Sequence, residues 1–597
     1  MTLFEKIKRQ IFPPSRTDHA RHFHDPQNFD KTKGDRVYKK HVDIAQSRLI
    51  YASAIFAAAF LAISARLVDL TLIQESNETE SRPAASANAG ITNGRANIVD
   101  RNGTLLATSI ATASLYANPK EIINIEEAVQ KISATLDLDK DDLRRKLTSG
   151  KSFIWLKRNL TPEQHYKTHL LGLPGIGFQR EDRRVYPLGR ITSHVLGTTD
   201  VDNKGIAGIE KSFDGYLRKS SEPLILSIDA RVQNIMREEL AKAIDNFNAR
   251  GGAGIVMDVH TGEVIAMVSL PDFDPHQSRG ISEDARFNRA TLGVYEMGST
   301  FKIFNTAMAL DSGKVHVSDQ FDATAPIKIG KHKISDYHPE NRWMNVAEIF
   351  EHSSNIGSAK MALTAGAAQQ KAFLTRLGLL SPASIELPEI GSPMVPQRWT
   401  DVTAMTVSFG YGISVSAIQL VRAVSGVVNG GTLPDATLLK RDERKQNPGA
   451  RIMSEQTSQN MRQLMRLVVE AGTGKNADVE GYFVGGKTGT AEKSNTGGYA
   501  QKKLLSSFIG AFPIQNPQYA VLAIVDEPIG NKASYGFATA AWVAAPVVNR
   551  VVSRMAPILG LPPEIARSPM AAAGKPNINS PQYGNTTLRR EAVYEAR

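Results

Sequence analysis

A single uncharged stretch near the amino terminus constrains this chain more than any other feature of its sequence. Leu49 to Ala65 reads LIYASAIFAAAFLAISA and lies between Arg48 and Arg66. A helix needs about 17 apolar residues as a minimum to cross a bilayer, and flanking arginines extend its reach by snorkelling. We therefore predict a single transmembrane helix over residues 49–70. The alternatives are a buried core helix and a signal peptide, although a signal peptide normally begins with a short basic region.

The residues before this stretch indicate the direction in which the chain would cross the membrane. Residues 1–48 contain 11 Lys and Arg against 6 Asp and Glu, a net charge of +5. Basic segments stay on the cytoplasmic side of a membrane, and such a run is typical of a solvated arm. We expect a cytoplasmic tail over residues 1–48, a single-pass anchor in the inner (plasma) membrane, and a periplasmic remainder. That remainder would lie in a compartment without ATP.

Composition excludes several kinds of chemistry. None of the 597 residues is a cysteine, so disulfide frameworks, thiolate nucleophiles, cysteine-based zinc sites and iron–sulfur clusters are excluded. The net charge is +11, of which +5 belongs to the tail. The rest is spread thinly over the remaining chain and does not call for a nucleic-acid partner.

Changes in sequence texture divide the rest of the chain into three parts. Residues 71–222 alternate strand-like and helical runs, with a hairpin signal at Asn102-Gly103, and predict an α+β pedestal domain. Residues 223–562 have apolar strand pairs at both ends and helical stretches between them. This pattern predicts an α+β domain with helices around a mainly antiparallel sheet that joins its two ends. Residues 563–597 are rich in Pro, Asn and Ala and predict a disordered tail.

The first candidate catalytic group is the pair Ser299 and Lys302 in the segment YEMGSTFKIFNTAMALDSG. Apolar residues after Ser299 recur with helical spacing, so Ser299 should lie at a helix start with Lys302 one turn further on. A helix start offers N–H groups and a positive dipole end to a developing oxyanion. Lys302 would accept the serine proton if burial or a nearby cation lowers its pKa. By itself this short motif also arises by chance.

Two further motifs follow along the chain. Ser353 and Asn355 in EHSSNIG would form a loop between helices, where they could relay a proton and bind substrate, or merely cap a helix. Neighbouring His352 is also a possible base, although a lone histidine is more often structural. The third motif, Lys487 to Thr490 in GGKTGTAEK, predicts an edge strand with two hydroxyls on one face and the lysine on the other.

The third motif has a rival interpretation. Gly481 to Thr488 fits G-x-x-x-x-G-K-[ST], the phosphate-binding loop, which should follow a buried strand and open a helix. Here the preceding residues are polar and the following GTAEKSNTGGY favours a strand end and a loop. The periplasmic prediction also places the site away from ATP, so we expect no nucleotide.

The order S-x-x-K, S-x-N, K-T-G-T is far more specific than any one motif. It resembles the penicillin-binding protein and serine β-lactamase superfamily. RANIVDRNGTLLA, GIAGIEKSFDGYL, NRATLGVYEMGSTFK and SFGYGISVSAIQL resemble class B penicillin-binding proteins, over roughly residues 45–560. HPENRWMNVAEIFEHSSNIG and the gap of 134 residues between Ser353 and Lys487 resemble the cell-division type more than the elongation type. Met297 departs from the pattern, because many relatives have proline there.

The resemblance implies a fold, a reaction and a set of roles. It implies a serine β-lactamase-like transpeptidase domain that cross-links peptidoglycan stem peptides through an acyl-enzyme and is a target of β-lactams. The implied catalytic residues are Ser299, Lys302, Ser353, Asn355 and Lys487. The implied substrate-binding residues are Thr488, Gly489 and Thr490, with the oxyanion hole formed by the backbone N–H groups of Ser299 and Thr490.

The resemblance also bears on partners and on alternative functions. It implies no metal or other cofactor, and it suggests division-complex membrane proteins, including a glycan polymerase, as partners. The pedestal region shows no glycosyltransferase motif of its own. An elongation-type transpeptidase, an acyl-serine β-lactam sensor or hydrolase, and a non-catalytic scaffold remain as alternatives.

Overall fold

The computed structural model describes residues 50–64, 94–277, 280–330, 332–442, 449–495 and 498–564. The predicted cytoplasmic tail, the end of the predicted anchor and nearly all of the predicted carboxyl-terminal tail lie outside these residues. The chain divides into two compact units, residues 1–91 and residues 92–597.

The described part of the first unit is one helix over residues 50–64. Its apolar side chains are largely exposed, with Phe56 at 78% and Phe60 at 71%. Across the described ranges, no helix combines the length and the apolar character that a membrane crossing requires.

The second unit begins with the pedestal, whose centre is a five-stranded sheet. The strands run in the order β3-β2-β1-β5, β4 also pairs with β2, and the pairing is antiparallel except between β1 and β5. The strands are β1 Ile98–Val99, β2 Leu105–Ala117, β3 Ile154–Leu160, β4 Ile176–Val185 and β5 Leu224–Ile225. The predicted turn at Asn102-Gly103 connects β1 to β2, and Gly103 adopts the left-handed conformation (φ +85°) that this turn requires.

Short helices cover the pedestal sheet. They are α1 Ile125–Leu136, α2 Lys140–Leu147, α3 Pro162–His169, α4 Ser193–Leu196, α5 Gly208–Ser212 and α6 Asp214–Lys219. In α1, Asn124 caps the first turn by accepting from Glu127 N–H, and Val129, Ile132 and Leu136 are buried at helical spacing. This apolar face packs on Leu115 of the sheet.

The transpeptidase-like domain is built on a second five-stranded sheet, with strands in the order β16-β17-β18-β6-β7 and every pair antiparallel. The strands are β6 Gly251–Asp258, β7 Val264–Leu270, β16 Gly485–Asn495, β17 Gly498–Phe512 and β18 Tyr519–Asp526. The sheet therefore joins the two ends of the domain, as the sequence predicts. It also leaves β16, which carries the third motif, at an edge.

The segment between β7 and β16 contains most helices and four small two-stranded pairs. The pairs are β8 Val294–Tyr295 with β13 Val415–Ser416, β9 Gln320–Asp322 with β12 Trp343–Asn345, β10 Ile327–Ile329 with β11 His332–Ile334, and β14 Thr432–Leu433 with β15 Ala450–Arg451. The domain's helices are α7 Ala230–Asn246, α8 Glu283–Arg286, α9 Lys302–Asp311, α10 Val346–Glu351, α11 Asn355–Ala365, α12 Ala367–Arg376, α13 Asp401–Val407, α14 Ala417–Val428, α15 Glu455–Glu470 and α16 Ala544–Ile558.

The main sheet is buried on both faces. Successive side chains of a strand point to opposite faces, so neighbouring residues belong to different apolar clusters. Val256 packs with α7 and α16 in one apolar cluster. Ile255 and Met257, its neighbours on β6, belong to a second cluster with α9 and α14. That second cluster also includes Ile98 of the pedestal. The two domains of this unit therefore share a continuous core.

Candidate active site

Ser299 lies where the sequence predicts it, in a 3₁₀ turn over Gly298–Phe301 that leads directly into α9. Gly298 has a left-handed backbone (φ +55°), and a Cβ atom there would lie 3.1 Å from Thr490 O. Gly410 makes an even closer approach, because a Cβ on it would lie 2.2 Å from Gly298 O. The nucleophile turn is thus held between β16 and the loop after α13.

Lys302 connects the first motif to the second. Its side chain is 1% exposed. The Nζ atom lies 3.0 Å from Ser299 Oγ, 3.0 Å from Ser353 Oγ, 2.5 Å from Ser353 O and 2.7 Å from Asn355 Oδ1. The Ser299 hydroxyl and three groups of the second motif, which lies 51–53 residues after Lys302, therefore converge on one amine.

The surroundings of Lys302 favour a neutral amine. Burial, together with the charge of Lys487, holds the pKa of Lys302 well below its usual range, while Asp336 opposes this shift. A neutral amine has two N–H donors and one lone pair. Ser353 O and Asn355 Oδ1 can only accept, so they take the two N–H groups. The lone pair is then left for a hydroxyl proton, which Ser299 Oγ can donate.

Ser353 and Ser354 of the second motif lie in the short connection between α10 and α11, as predicted, and Asn355 is the first residue of α11. Ser353 has a left-handed backbone (φ +58°), a conformation that is strained for a non-glycine residue. Ser354 caps α11 by accepting from Gly357 N–H, so the capping role falls to this serine rather than to Ser353 or Asn355. The other two motif residues remain available to Lys302.

Asp336 supports this connection, and nothing in the sequence marks it. Its carboxylate accepts from Ser354 Oγ (2.7 Å), Asn355 N–H (2.5 Å) and Ile356 N–H (3.0 Å). These N–H groups belong to the first turn of α11, where an anion is favourable. Asp336 therefore fixes the backbone that holds both Ser353 and Asn355.

Lys487 is completely buried, but it does not bond to Ser353. Among the described residues its Nζ has no hydrogen-bond partner, and it lies 5.8 Å from the centre of the Phe350 ring. Burial lowers the pKa of Lys487 to about 7. Near neutral pH this side chain therefore exists in both the charged and the neutral form.

The remaining residues of the third motif lie beside the nucleophile turn. Thr488 Oγ1 is 2.7 Å from Thr473 Oγ1, and Thr490 Oγ1 accepts from Ala540 N–H at 3.0 Å. A Cβ atom at Gly489 would lie 2.6 Å from Met297 O, so only glycine lets β16 approach the turn this closely. Thr473 is a neighbour that sequence reasoning missed.

The structure also decides between the rival interpretations. Lys487 and Thr488 lie within β16, and a strand rather than a helix follows Gly486, so the phosphate-loop pattern does not form. His352 Nδ1 lies 3.6 Å from Glu340 Oε1 and makes no recorded hydrogen bond to the motif residues.

Comparison with known proteins agrees with this arrangement. Residues 252–549 match the penicillin binding protein transpeptidase domain, and residues 91–245 match the penicillin-binding protein dimerisation domain. A Caulobacter vibrioides protein named "Probable peptidoglycan D,D-transpeptidase FtsI" is 40% identical over 81% of this chain and 85% of its own. The Escherichia coli K12 protein named "Peptidoglycan D,D-transpeptidase FtsI" is 30% identical, over 78% and 84%.

A solved structure shows the same fold. A crystal structure from Atopobium parvulum, provisionally assigned to the peptidoglycan glycosyltransferases, superimposes with a TM-score of 0.61 at 23% identity. The match covers 79% of this chain and 98% of that one, and it bears on the fold alone. With the two domain matches and the relatives above, the chain belongs to the class B penicillin-binding proteins, of the FtsI type.

Proposed function

We propose that this protein is a peptidoglycan D,D-transpeptidase that cross-links stem peptides during septal wall synthesis and is inhibited by β-lactams. One observation carries the reaction type: a buried lysine of lowered pKa lies 3.0 Å from Ser299 Oγ and also contacts both residues of the second motif. The named transpeptidase relatives and the matched domains support the substrate class.

Acylation begins at Ser299. Its Oγ attacks the carbonyl carbon of the penultimate D-Ala, while the hydroxyl proton passes to the Lys302 lone pair. The Oγ–C bond forms and the amide C–N bond breaks. The terminal D-Ala leaves as a free amine after it has received a proton through Ser353, which lies 3.0 Å from Lys302 Nζ. We propose that Lys487, whose pKa burial lowers to about 7, supports this relay through its charge, because its Nζ makes no hydrogen bond to Ser353 among the described residues.

Cross-linking reverses these steps with a different amine. The amine of a second stem peptide attacks the ester carbonyl, loses its proton to the same relay, and forms a new amide bond. The Oγ–C bond breaks and Ser299 recovers its proton from Lys302. A β-lactam undergoes only the acylation step. Its leaving nitrogen remains attached to the acyl group, so it does not make room for the second amine.

Substrate recognition is assigned to β16 and the second motif. We propose that the Thr488 and Thr490 hydroxyls bind the terminal carboxylate and that the Asn355 amide holds the acyl amide. Gly489 permits the close approach of β16 to the nucleophile turn. The backbone N–H groups of Ser299 and Thr490 would bind the oxyanion, where preorganised donors contribute most to catalysis.

Labelling with a fluorescent penicillin tests this assignment. We expect Ser299→Ala to abolish covalent labelling, and peptide mapping of the wild-type adduct to identify the peptide that contains Ser299. Ser312→Ala is the matched control, because this serine follows the other end of α9, where its Oγ donates to Ala309 O and accepts from Lys314 N–H. Labelling that survives Ser299→Ala would refute the nucleophile assignment.

We also propose that residues 49–70 anchor the protein in the inner membrane, with residues 1–48 in the cytoplasm and the catalytic domain in the periplasm. The uncharged stretch between two arginines and the exposed apolar side chains of the helix over residues 50–64 support this. Because the chain has no cysteine, single introduced cysteines report topology directly. Asp30→Cys should react with an impermeant maleimide only after lysis, and Glu222→Cys should react in intact spheroplasts. The reverse pattern would exclude this topology.

We infer that membrane proteins of the division complex, including a glycan polymerase, bind the pedestal. Exposed apolar side chains such as Ile123 (87%) and Phe153 (44%) support an interaction surface there. A fluorescent fusion should gather at the division site. Ile123→Ser should reduce this enrichment without changing penicillin labelling, and uniform wild-type localisation would refute the septal assignment.

A further inference from the structure

A second cleft lies between the two domains, apart from Ser299. It encloses about 430 Å³, within the range of roughly 300–1,000 Å³ that is typical of small-molecule sites. The lining residues that matter here come from both domains: Ser193 and His194 from the pedestal, and Phe273, Arg286, Asn288 and Glu389 from the transpeptidase domain. The catalytic motifs contribute none of the residues that line it.

The cleft contains buried polar groups that no described residue satisfies. Asn288 is 2% exposed, and its Oδ1 accepts from Ala290 N–H at 3.0 Å. This contact fixes the orientation of the amide, so Nδ2 carries two N–H donors, and Nδ2 has no partner among the described residues. Ser193, 1% exposed, has an equally unpartnered hydroxyl. Leaving such buried donors unpaired is unfavourable, which favours a ligand with acceptor oxygens.

One charge of each sign lines the same cleft. Arg286 is exposed, and within the described ranges its guanidinium has no recorded hydrogen bond or ion pair. Glu389 accepts from Gly208 N–H at 3.2 Å through one carboxylate oxygen, which connects the two domains. The buried His194 ring adds no charge at neutral pH, because burial lowers its pKa to about 4. Its Nε2 lies 2.9 Å from Ala285 O.

We propose that this cleft binds a zwitterionic amino acid or short peptide. The ligand carboxylate accepts from Asn288 Nδ2 and Ser193 Oγ, with Arg286 as its counter-ion. The ligand ammonium pairs with Glu389, and its apolar part packs against Phe273. A phosphate group fits less well, because Arg286 is the one cation among the described residues that line the cleft, and Glu389 adds a carboxylate to the same lining. A ligand held by both domains would stabilise their arrangement.

Binding can be measured independently of the reaction. Full-length protein in detergent is first acylated at Ser299 with benzylpenicillin, so that the active site is blocked. Isothermal titration calorimetry then compares three probes: glycyl-leucine, glycyl-leucinamide without the carboxylate, and N-acetylglycyl-leucine without the ammonium. We expect glycyl-leucine to bind, and removal of either charge to weaken binding by about tenfold or more.

Matched variants locate the site. Asn288→Asp keeps an oxygen that can accept from Ala290 N–H but replaces the donor with a carboxylate oxygen that repels the ligand carboxylate, so glycyl-leucine should bind at least about tenfold more weakly. Arg286→Gln should also weaken binding, whereas Arg398→Gln, an exposed arginine outside the cleft, should not. Unchanged penicillin labelling confirms that each variant is folded. No binding of glycyl-leucine, equal binding of all three probes, or unchanged affinity in Asn288→Asp would each overturn the proposal.

Discussion

At the residue scale, the site is organised around two buried lysines: Lys302, whose pKa is held well below its usual range, and Lys487, whose pKa burial lowers to about 7. Lys302 has only two N–H donors when neutral, and two carbonyl oxygens take them. Lys487 contributes no hydrogen bond within the described site, so it acts on Lys302 through its charge. The two lysines are therefore coupled without touching.

This coupling predicts the effect of Lys487→Met. A neighbouring positive charge disfavours protonated Lys302, so its removal should raise the pKa of Lys302. The fraction of neutral base at a given pH then falls, and the rise in acylation rate with pH should move to higher pH. Stopped-flow acylation by a fluorescent penicillin measures this. Lys503→Met is the control, because that ammonium pairs with Glu527 at the surface. An unmoved profile in Lys487→Met would contradict the coupling.

Asp336→Asn should move the same profile in the opposite direction. The Asp336 carboxylate raises the pKa of Lys302, so its loss should lower that pKa and shift the rise in acylation to lower pH. The plateau rate should also fall, because Asn355 and Ser353 lose their backbone support, and the free energy of unfolding should drop by about 1 kcal/mol.

Asp311→Asn separates these two effects. Asp311 accepts from Ser454 N–H at 2.8 Å and from Thr457 Oγ1, so it supports the start of α15 much as Asp336 supports the start of α11. It should therefore lower stability without moving the pH profile. If Asp336→Asn and Asp311→Asn shift the pH profile of acylation equally, the shift would reflect a general loss of stability rather than the charge of Asp336.

At the scale of elements, the active site depends on an edge strand that lies unusually close to a helix start. A Cβ atom on Gly489 would lie 2.6 Å from Met297 O and 2.7 Å from Ser507 Oγ. Because Met297 O is a backbone atom that cannot rotate aside as a side chain can, β16 itself would have to move away from Ser299. Glycine is required here for close approach, not for an unusual backbone angle.

We therefore expect Gly489→Ala to slow acylation by about 10²-fold while the protein stays folded, because small displacements of reacting groups can cost this much. Rates of penicillin labelling measure the effect. Gly215→Ala in α6 is the control, since a Cβ there meets nothing within 4 Å and should be neutral or slightly stabilising. A labelling rate for Gly489→Ala within a few-fold of wild type would contradict this prediction, because it would show that β16 accommodates the added methyl group without disturbing Ser299.

Sequence patterns predict these elements well because the patterns are local. The Asn102-Gly103 hairpin, the helix start at Ser299 and the edge strand at Lys487 each follow from a few neighbouring residues. Contacts made by distant residues carry no such pattern. Asp336 reaches residues 18–20 positions away, and Phe350 meets Lys487 only through the fold. The sequence also predicts that Lys487 belongs to the site, but not that its amine is unpaired.

At the scale of the whole second unit, the pedestal and the transpeptidase domain are joined by more than apolar packing. The tip of the β1–β2 hairpin reaches the start of α7, where Asn102 Nδ2 donates to Asp229 Oδ2 (2.9 Å) and Asp100 Oδ2 accepts from Ala230 N–H (3.1 Å). Ile98 and Ile255 belong to the same apolar cluster. A substitution that destabilises the pedestal should therefore also destabilise the active site.

A buried ion cluster in the pedestal allows this to be tested. Glu210 is fully buried and accepts from Arg184 Nε at 2.7 Å and from Arg95 Nε, and both arginine side chains are 1% exposed. Glu210→Gln removes the carboxylate charge that pairs with the buried guanidinium groups of Arg95 and Arg184. Breaking such a cluster costs about 3–5 kcal/mol. We expect a lower urea midpoint, measured both by circular dichroism and by the loss of penicillin labelling.

The comparison of the two probes decides whether the domains unfold together. Because the core is continuous, labelling should be lost at the same lowered urea concentration as secondary structure. Glu163→Gln in the same domain is the control, since its pair with Lys167 is exposed to solvent and should contribute little to the free energy of unfolding. The opposite outcome is that labelling keeps the wild-type urea midpoint while circular dichroism shows a transition at lower urea concentration. The transpeptidase domain would then fold without its pedestal, and the shared core would contribute little to cooperativity.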